Sequence, residues 1–304
     1  MKRLLYGICA IAFCATACLC FSQETAQEEK NEEGKTVVKI EKDLPSGGKI
    51  LFQKVGQEAA FATFEVDGKK VEIDAFEPIS RFPEEARPIV EEVWNQLGEI
   101  PKKTIKVEID VTDVPDVAEW AERAKSRVLY WYPKVVAMLD GEEAVDKIPE
   151  DFTIKLIFKD MDGVAYAAGR SITVSSRHIK RNPLDFGLVV HETTHVAQAY
   201  PRVREVWAME GETDYIRYYV TEARSKNHWR IDPERSKYTD SYGVTASYYD
   251  WIVRNVDPDF IRKIHGVFRS RGSVEDFVVK EYGKSCQELW DEFIKSLDNQ
   301  TRQN

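Results

Sequence analysis

Beyond residue 20 the chain has a single cysteine, Cys286; the other four, Cys9, Cys14, Cys18 and Cys20, crowd into the first twenty residues. If that segment is removed on export, no internal disulfide can form, which excludes the stapled scaffolds of small secreted domains. Positive charge is also scarce. Against 52 Asp and Glu there are 43 Lys and Arg, a net charge of −9 that argues against a general nucleic-acid binder. No internal repeat is visible. Histidine is sparse too, five in 304 residues, yet two of them stand four apart around a glutamate: His191-Glu192-Thr193-Thr194-His195.

That pentapeptide fits H-E-x-x-H. On a helix, residues i and i+4 share one face, so both imidazoles reach one tetrahedral metal and the intervening glutamate reaches a water upon it. Val189, Val190 and Val196 predict that this helix is partly buried. Buried histidines beside carboxylates need partners, which argues against two solvated surface imidazoles. Zinc, one per chain, is the cofactor expected. A catalytic site needs a third protein ligand. Glu210 is the candidate, with Glu212 and Asp214 as alternatives; Asp214, one helical turn after Glu210, is placed to orient a ligand histidine through its free ring N–H.

Residues 1–22 have the form of an export signal: Lys2 and Arg3, an uncharged apolar run Leu4–Phe21, then a polar stretch from Gln23. Cleavage near Ser22-Gln23 is expected, giving a secreted or periplasmic protein. The alternatives are a membrane anchor, since the run is just long enough to span, and a lipid anchor on Cys18. Ala15-Thr16-Ala17-Cys18 resembles a lipobox without its usual leucine. Membrane contact is expected only through these segments. Residues 23–35, glutamate-rich and without aromatics, read as a disordered spacer.

Thr36–Ile40, Lys49–Lys54, Ala60–Val66 and Lys70–Ile73 are β-prone, with a hairpin signal at Asp67-Gly68. Residues 36–80 therefore read as a small β-rich extension or a propeptide, followed by a main domain over 83–300. Within it, spacing predicts a helix over Pro83–Leu97, a strand Thr104–Val111 and a long helix from Asp116 to Leu139 with a kink or break at Pro133. Strands follow at Phe152–Phe158, Gly163–Ala167 and Ser171–Ser175. The motif helix spans Pro183–Ala199, and further helices cover Trp207–Ala223, Asp240–Asn255, Pro258–Ser270, Ser273–Tyr282 and Cys286–Leu297, the last opened by the capping box Ser285-x-x-Glu288. Mixed strands and helices followed by a helical half, with the metal helix between, make the fold class α+β.

H-E-x-x-H followed by E-x-x-x-D resembles the gluzincin arrangement, though with a shorter gap than in thermolysin-like members. More specifically, HETTHVAQAY, WAMEGETDYIRYY, YTDSYGVTASYYDW and GKSCQELWDEF, with Asp160–Tyr166 and Ser171–Ser175, resemble the plant basic secretory proteins and their bacterial relatives. That family is classed as zinc peptidases. The resemblance covers roughly residues 104–296 and implies a zincin-like fold and a peptide or protein substrate. This chain is acidic where the plant proteins are basic, so a charge-based choice of substrate or partner does not carry over.

The reaction expected is metal-assisted peptide hydrolysis, with Glu192 as general base. Tyr242, within the family-like segment, is the candidate second oxyanion donor, ahead of His228 and Tyr215. Zincins bind substrate along an edge strand, which makes Val164, Ala165 and Tyr166 candidates for substrate binding; Asp162-Gly163 reads as a tight turn. Two other readings compete. One is a non-catalytic module with a retained structural zinc, against which the intact Glu192 argues. The other is an envelope protein whose β-rich front binds glycan or a protein, for which an aromatic groove built from Phe52, Phe61, Phe64 and Phe76 would speak.

Overall fold

The computed structural model describes residues 26–31, 35–222, 229 and 231–301; residues 1–22, read above as an export signal, lie outside them. The first sheet is an antiparallel meander of five strands in chain order: β1 (Gln27–Lys30), β2 (Thr36–Asp43), β3 (Lys49–Val55), β4 (Phe61–Val66) and β5 (Lys69–Asp74). Asp67 and Gly68 both take positive φ, 52° and 70°, the backbone of a type I′ turn. Register places Ile50 opposite Phe64 and Ala62 opposite both Phe52 and Ile73, and these residues are buried together. Strand β1 falls in the stretch read as a disordered spacer. Its four side chains are exposed, so backbone pairing with β2 orders it rather than core burial.

Helix α1 (Arg87–Gln96) starts later than the apolar spacing over Pro83–Leu97 suggested and packs on this sheet, not within the region that follows. Its buried face, Val90, Val93 and Trp94, covers the apolar side of the meander, with Trp94 edge-on to Phe52 at 5.1 Å. The expected boundary at residues 80–83 separates the sheet from the helix that covers it. Phe52 and Phe64 are core, and Phe76 packs on Tyr130, so these rings form no exposed aromatic groove. The unit is tied to the rest of the chain by buried polar contacts: Glu99 accepts from the Ala60 N–H at 3.2 Å and from the Tyr130 hydroxyl, and Glu77 pairs with Arg127 at 3.2 Å.

The second sheet has the order β6 (Lys106–Asp110), β7 (Thr153–Lys159), β9 (Ser171–Ser175), β8 (Ala165–Ala168). The first three are parallel and β8 is the antiparallel edge. The crossover from β6 to β7 contains α2 (Ala118–Asp140) and the short α3 (Glu142–Asp146). No break occurs at Pro133. Tyr130, Trp131, Tyr132, Val135 and Val136 are buried on either side of it, and that burial outweighs the roughly 3 kcal/mol cost of an interior proline.

A short helix without a signal in the sequence reading, α4 (Ser176–Arg181), follows β9, its first turn capped by Ser175, which accepts from the His178 N–H at 3.3 Å. Then come α5 (Gly187–Gln198), α6 (Val206–Tyr215), α7 (Tyr242–Asn255), α8 (Phe260–Arg269), α9 (Val274–Tyr282) and α10 (Cys286–Thr301). Helix α5 begins four residues later than expected, and α6 passes into a π-helical turn, Ile216–Thr221, instead of continuing as an α-helix. The Ser285–Glu288 box is reciprocal: the Glu288 N–H donates to Ser285 Oγ at 3.2 Å and the Ser285 N–H to Glu288 Oε2 at 2.7 Å. The fold is α+β. No helix among the described residues is long and apolar enough to cross a membrane.

Candidate metal centre and its cleft

Helix α5 is buried at every position but His195. Its hydroxyls are satisfied within the helix, Thr193 Oγ1 donating to the Val189 carbonyl at 2.6 Å and Thr194 Oγ1 to that of Val190 at 2.9 Å. The motif threonines thus sit in the core while both histidines face α6.

Three atoms converge there. His191 Nε2 and His195 Nε2 are 3.2 Å apart, and Glu210 Oε2 lies 3.2 Å from the first and 3.3 Å from the second. Among the described residues, these three form the cluster whose ligand atoms lie close enough to hold one ion. Both other ring nitrogens are engaged. Asp214 Oδ1 accepts from His191 Nδ1 at 2.7 Å, and Gln198 Oε1 accepts from His195 Nδ1 at 2.8 Å. With Nδ1 donating in each ring, the neutral imidazoles present bare lone pairs at Nε2. Glu210 Oε2 is buried without a hydrogen bond. Three acceptors in mutual contact repel unless a cation lies among them. Donors of a tetrahedral zinc, at about 2.0–2.1 Å from the metal, stand about 3.3–3.4 Å apart, close to what is found here. The residues therefore fit zinc by geometry and donor chemistry.

The electrostatics express the same demand for positive charge. Burial works against charge on His191, but the Asp214 and Glu210 carboxylates lift its pKa to about 9. Burial likewise opposes charge on Glu210, and the two adjoining imidazoles bring its carboxyl down to about 2. Glu192 is buried, which raises its carboxyl above the usual range against the pull of His191, His195 and, more weakly, the nearby Ala167 N–H on β8.

Glu212 is not at the centre. It sits on the other side of α6, fully buried, with Tyr200 Oη at 2.9 and 2.7 Å from its two oxygens, and desolvation raises its carboxyl to about 8. Tyr200 Oη also meets His265 Nδ1 at 2.7 Å, and His265 Nε2 meets Asp140 Oδ1 at 3.0 Å. Gln198 links this region to the histidine pair, since its Nε2 donates to Thr213 Oγ1 at 3.0 Å and its Oε1 accepts from His195. Because Thr213 Oγ1 spends its own proton on the Met209 carbonyl, it accepts from Nε2, which leaves Oε1 facing His195. Gln198 escaped the sequence reading although it stands one turn after His195 on the same helix. Tyr200, His265 and Asp140 carried no local signal, because only packing of α2, α6 and α8 brings them together.

The centre opens into a cleft of about 1310 Å³ lined by Glu192, the three converging residues, Val164, Ala165, Tyr166 and Tyr242. Gly163, at φ +87°, makes the turn before β8, as read from Asp162-Gly163. Val164 and Tyr166 are exposed on the free edge of the sheet beside α5. The Tyr242 ring stacks over His191 at 6.2 Å, and the nearby Glu210 carboxylate raises its hydroxyl's pKa. Ser241 and Tyr242 both hold positive φ, 69° and 47°, an uncommon backbone for residues with a Cβ that swings this ring over the centre. Tyr215 stacks on Tyr219 and does not line the cleft. His228 lies outside the described residues.

Neither a curated protein nor a solved structure matches the chain significantly. A family model does, over residues 116–293, which span the second sheet from α2 onward, the motif helix and nearly all of the helical half. On that match, more than half of its length, the chain belongs to the family described as peptidases of plants and bacteria.

Proposed function

We propose that this protein is a zinc-dependent peptidase in which His191, His195 and Glu210 hold the metal and Glu192 is the general base. The observation that carries the reading is the triangle of three acceptor atoms at 3.2–3.3 Å beside a buried carboxylate that faces an open cleft. Zinc, when bound, supplies Lewis acidity and lowers the pKa of water.

The chain's own residues do the rest. Val164–Tyr166 on the free edge of β8 hold the substrate backbone in extended form. Glu192, whose carboxyl is made more basic by burial, takes the proton of the attacking water and returns a proton to the leaving amine. Tyr242 Oη, held above His191, donates to the oxygen that gains charge at the scissile carbonyl. Asp214 and Gln198 hold the two imidazoles in the tautomer that leaves Nε2 free. We also propose that residues 1–22 direct export and that the folded region acts outside the cytoplasm.

Zinc analysis of the purified protein, paired with Glu192→Gln, tests the reading. Wild type is expected to hold one zinc and to cleave peptides. His191→Ala and Glu210→Ala lose the metal, and Glu192→Gln keeps it while hydrolysis falls by about 10²–10⁴. Full zinc occupancy in Glu210→Ala would remove that residue from the ligand set, and unchanged turnover in Glu192→Gln would remove the general base.

A further inference from the structure

One end of the cleft carries positive charge that the metal centre does not use. Lys147, Arg170 and Arg269 are among its lining residues, and Arg170, Arg269 and Asp140 gather around Tyr132. Asp140 is already committed: Arg269 donates to its Oδ2 at 3.2 Å, and His265 Nε2 lies 3.0 Å from its Oδ1. Arg269 also donates to the Ala197 carbonyl at 3.2 Å, at the end of α5. Lys147 and Arg170 have no carboxylate partner among the described residues. Arg170 instead lies over the Phe152 ring, 4.2 Å from its centre, and that ring is stacked on Tyr132 at 4.8 Å. The guanidinium is thereby held on an aromatic base at the cleft wall, and its N–H donors are left for something else. The chain as a whole carries −9, so this cluster runs against the overall field.

Its place along the edge strand fixes what it meets. Ala167 of β8 lies beside Glu192, and Arg170 sits in the two-residue turn Gly169-Arg170 that carries the chain from Ala168 to its antiparallel partner Ser171, at the carboxyl end of the edge strand. A peptide laid antiparallel on β8 runs with its amino-terminal part toward the carboxyl end of that strand. The residues two or three positions to the amino side of the bond at Glu192 therefore reach Arg170.

We infer that this end of the cleft is a subsite for an acidic side chain of the substrate, two or three residues to the amino side of the scissile bond, with Arg170 as its main contact and Lys147 and Arg269 supplying the surrounding charge. A guanidinium presents paired donors to a carboxylate, and the aromatic base removes much of the entropy cost of ordering it. A lysine side chain at the same substrate position meets like charge. The inference rests on the peptidase reading for the term "scissile", but the binding preference stands apart from turnover.

The experiment compares matched peptides carrying glutamate or lysine at those positions. With wild type, kcat/KM is expected to favour glutamate roughly five- to tenfold, and the preference is expected to shrink at high salt as exposed charges are screened. The double variant Arg170→Glu and Lys147→Glu is expected to invert it; both residues are exposed, so folding is not at stake. In parallel, binding of the same labelled peptides to zinc-loaded Glu192→Gln protein reads the subsite without chemistry. Cleavage with no glutamate preference, a preference on the carboxyl side of the cut, or a preference that survives charge reversal would overturn the subsite and leave the peptidase reading intact. Absence of cleavage by wild type, with glutamate-selective binding that disappears in the Arg170→Glu and Lys147→Glu protein, would keep the subsite and overturn the peptidase reading.

Discussion

A methyl group added at Gly211 should break the metal centre without touching a ligand. Gly211 lies on α6 between Glu210 and Glu212, at the contact with α7. A Cβ there would stand 2.2 Å from Thr245 Cγ2 and 2.7 Å from Thr245 Cβ, with Tyr249 Cε2 at 3.4 Å. Carbon atoms pack at about 3.5–4.0 Å, so the helices must part by roughly 1 Å at this point. Thr245 cannot turn aside: it is fully buried, β-branched, and its Oγ1 donates to the Tyr238 carbonyl at 2.7 Å. Overpacking of this kind costs about 1–3 kcal/mol. At about 2–4 °C per kcal/mol for a chain of roughly this size, Gly211→Ala should melt roughly 2–12 °C lower. The larger effect falls on zinc. Glu210 is the next residue, and a shift of even ~1 Å away from α5 spoils a site that tolerates about 0.5 Å, so affinity should fall by at least about tenfold. Calorimetric melting of metal-free protein and zinc competition against a chromophoric chelator measure the two losses separately. Thr245→Ser in the Gly211→Ala background deletes the Cγ2 contact and leaves the Cβ contact, so it should restore part of each. Unchanged melting and zinc affinity in Gly211→Ala, or no recovery in the double variant, would refute the packing argument.

Gln198→Leu removes the acceptor that fixes the His195 tautomer and should weaken zinc binding about 10- to 100-fold in chelator competition, whereas Gln198→Glu keeps an acceptor at that place and should retain most of the affinity. Cys286 is buried, and desolvation pushes its thiol up to about 12, so the native protein should resist a thiol-specific reagent at mildly alkaline pH and react once denatured; fast reaction of the native form would contradict its burial. Export is checked by amino-terminal sequencing from the native host: a start near Gln23, or a lipid-modified Cys18, is expected, and an intact Met1 on soluble cytoplasmic protein would overturn it.

Sequence periodicity and turn chemistry are local, and what depends on them was legible in the chain. The Asp67-Gly68 hairpin, the Ser285–Glu288 cap and the strand at Ser171–Ser175 all follow from residues a few positions apart. So does the pairing of His191 with His195, because the pitch of a helix alone brings i and i+4 together. Spacing offered Glu210, Glu212 and Asp214 as candidates without setting the direction in which each points. The rotation of α6 against α5 does set it, turning Glu210 toward the imidazoles and Glu212 toward Tyr200 and His265. Tertiary burial also overrode local propensity: α2 runs through Pro133, and α1 belongs to the sheet it covers. The strand at Gln27–Lys30 had no apolar pattern to announce it, since a strand held only by backbone pairing leaves no mark on its side chains. The cationic end of the cleft is the clearest case of what the sequence withheld. Lys147, Arg170 and Arg269 are scattered over more than a hundred residues, and they become one electrostatic feature only when α8 and the β8–β9 turn meet the end of α2.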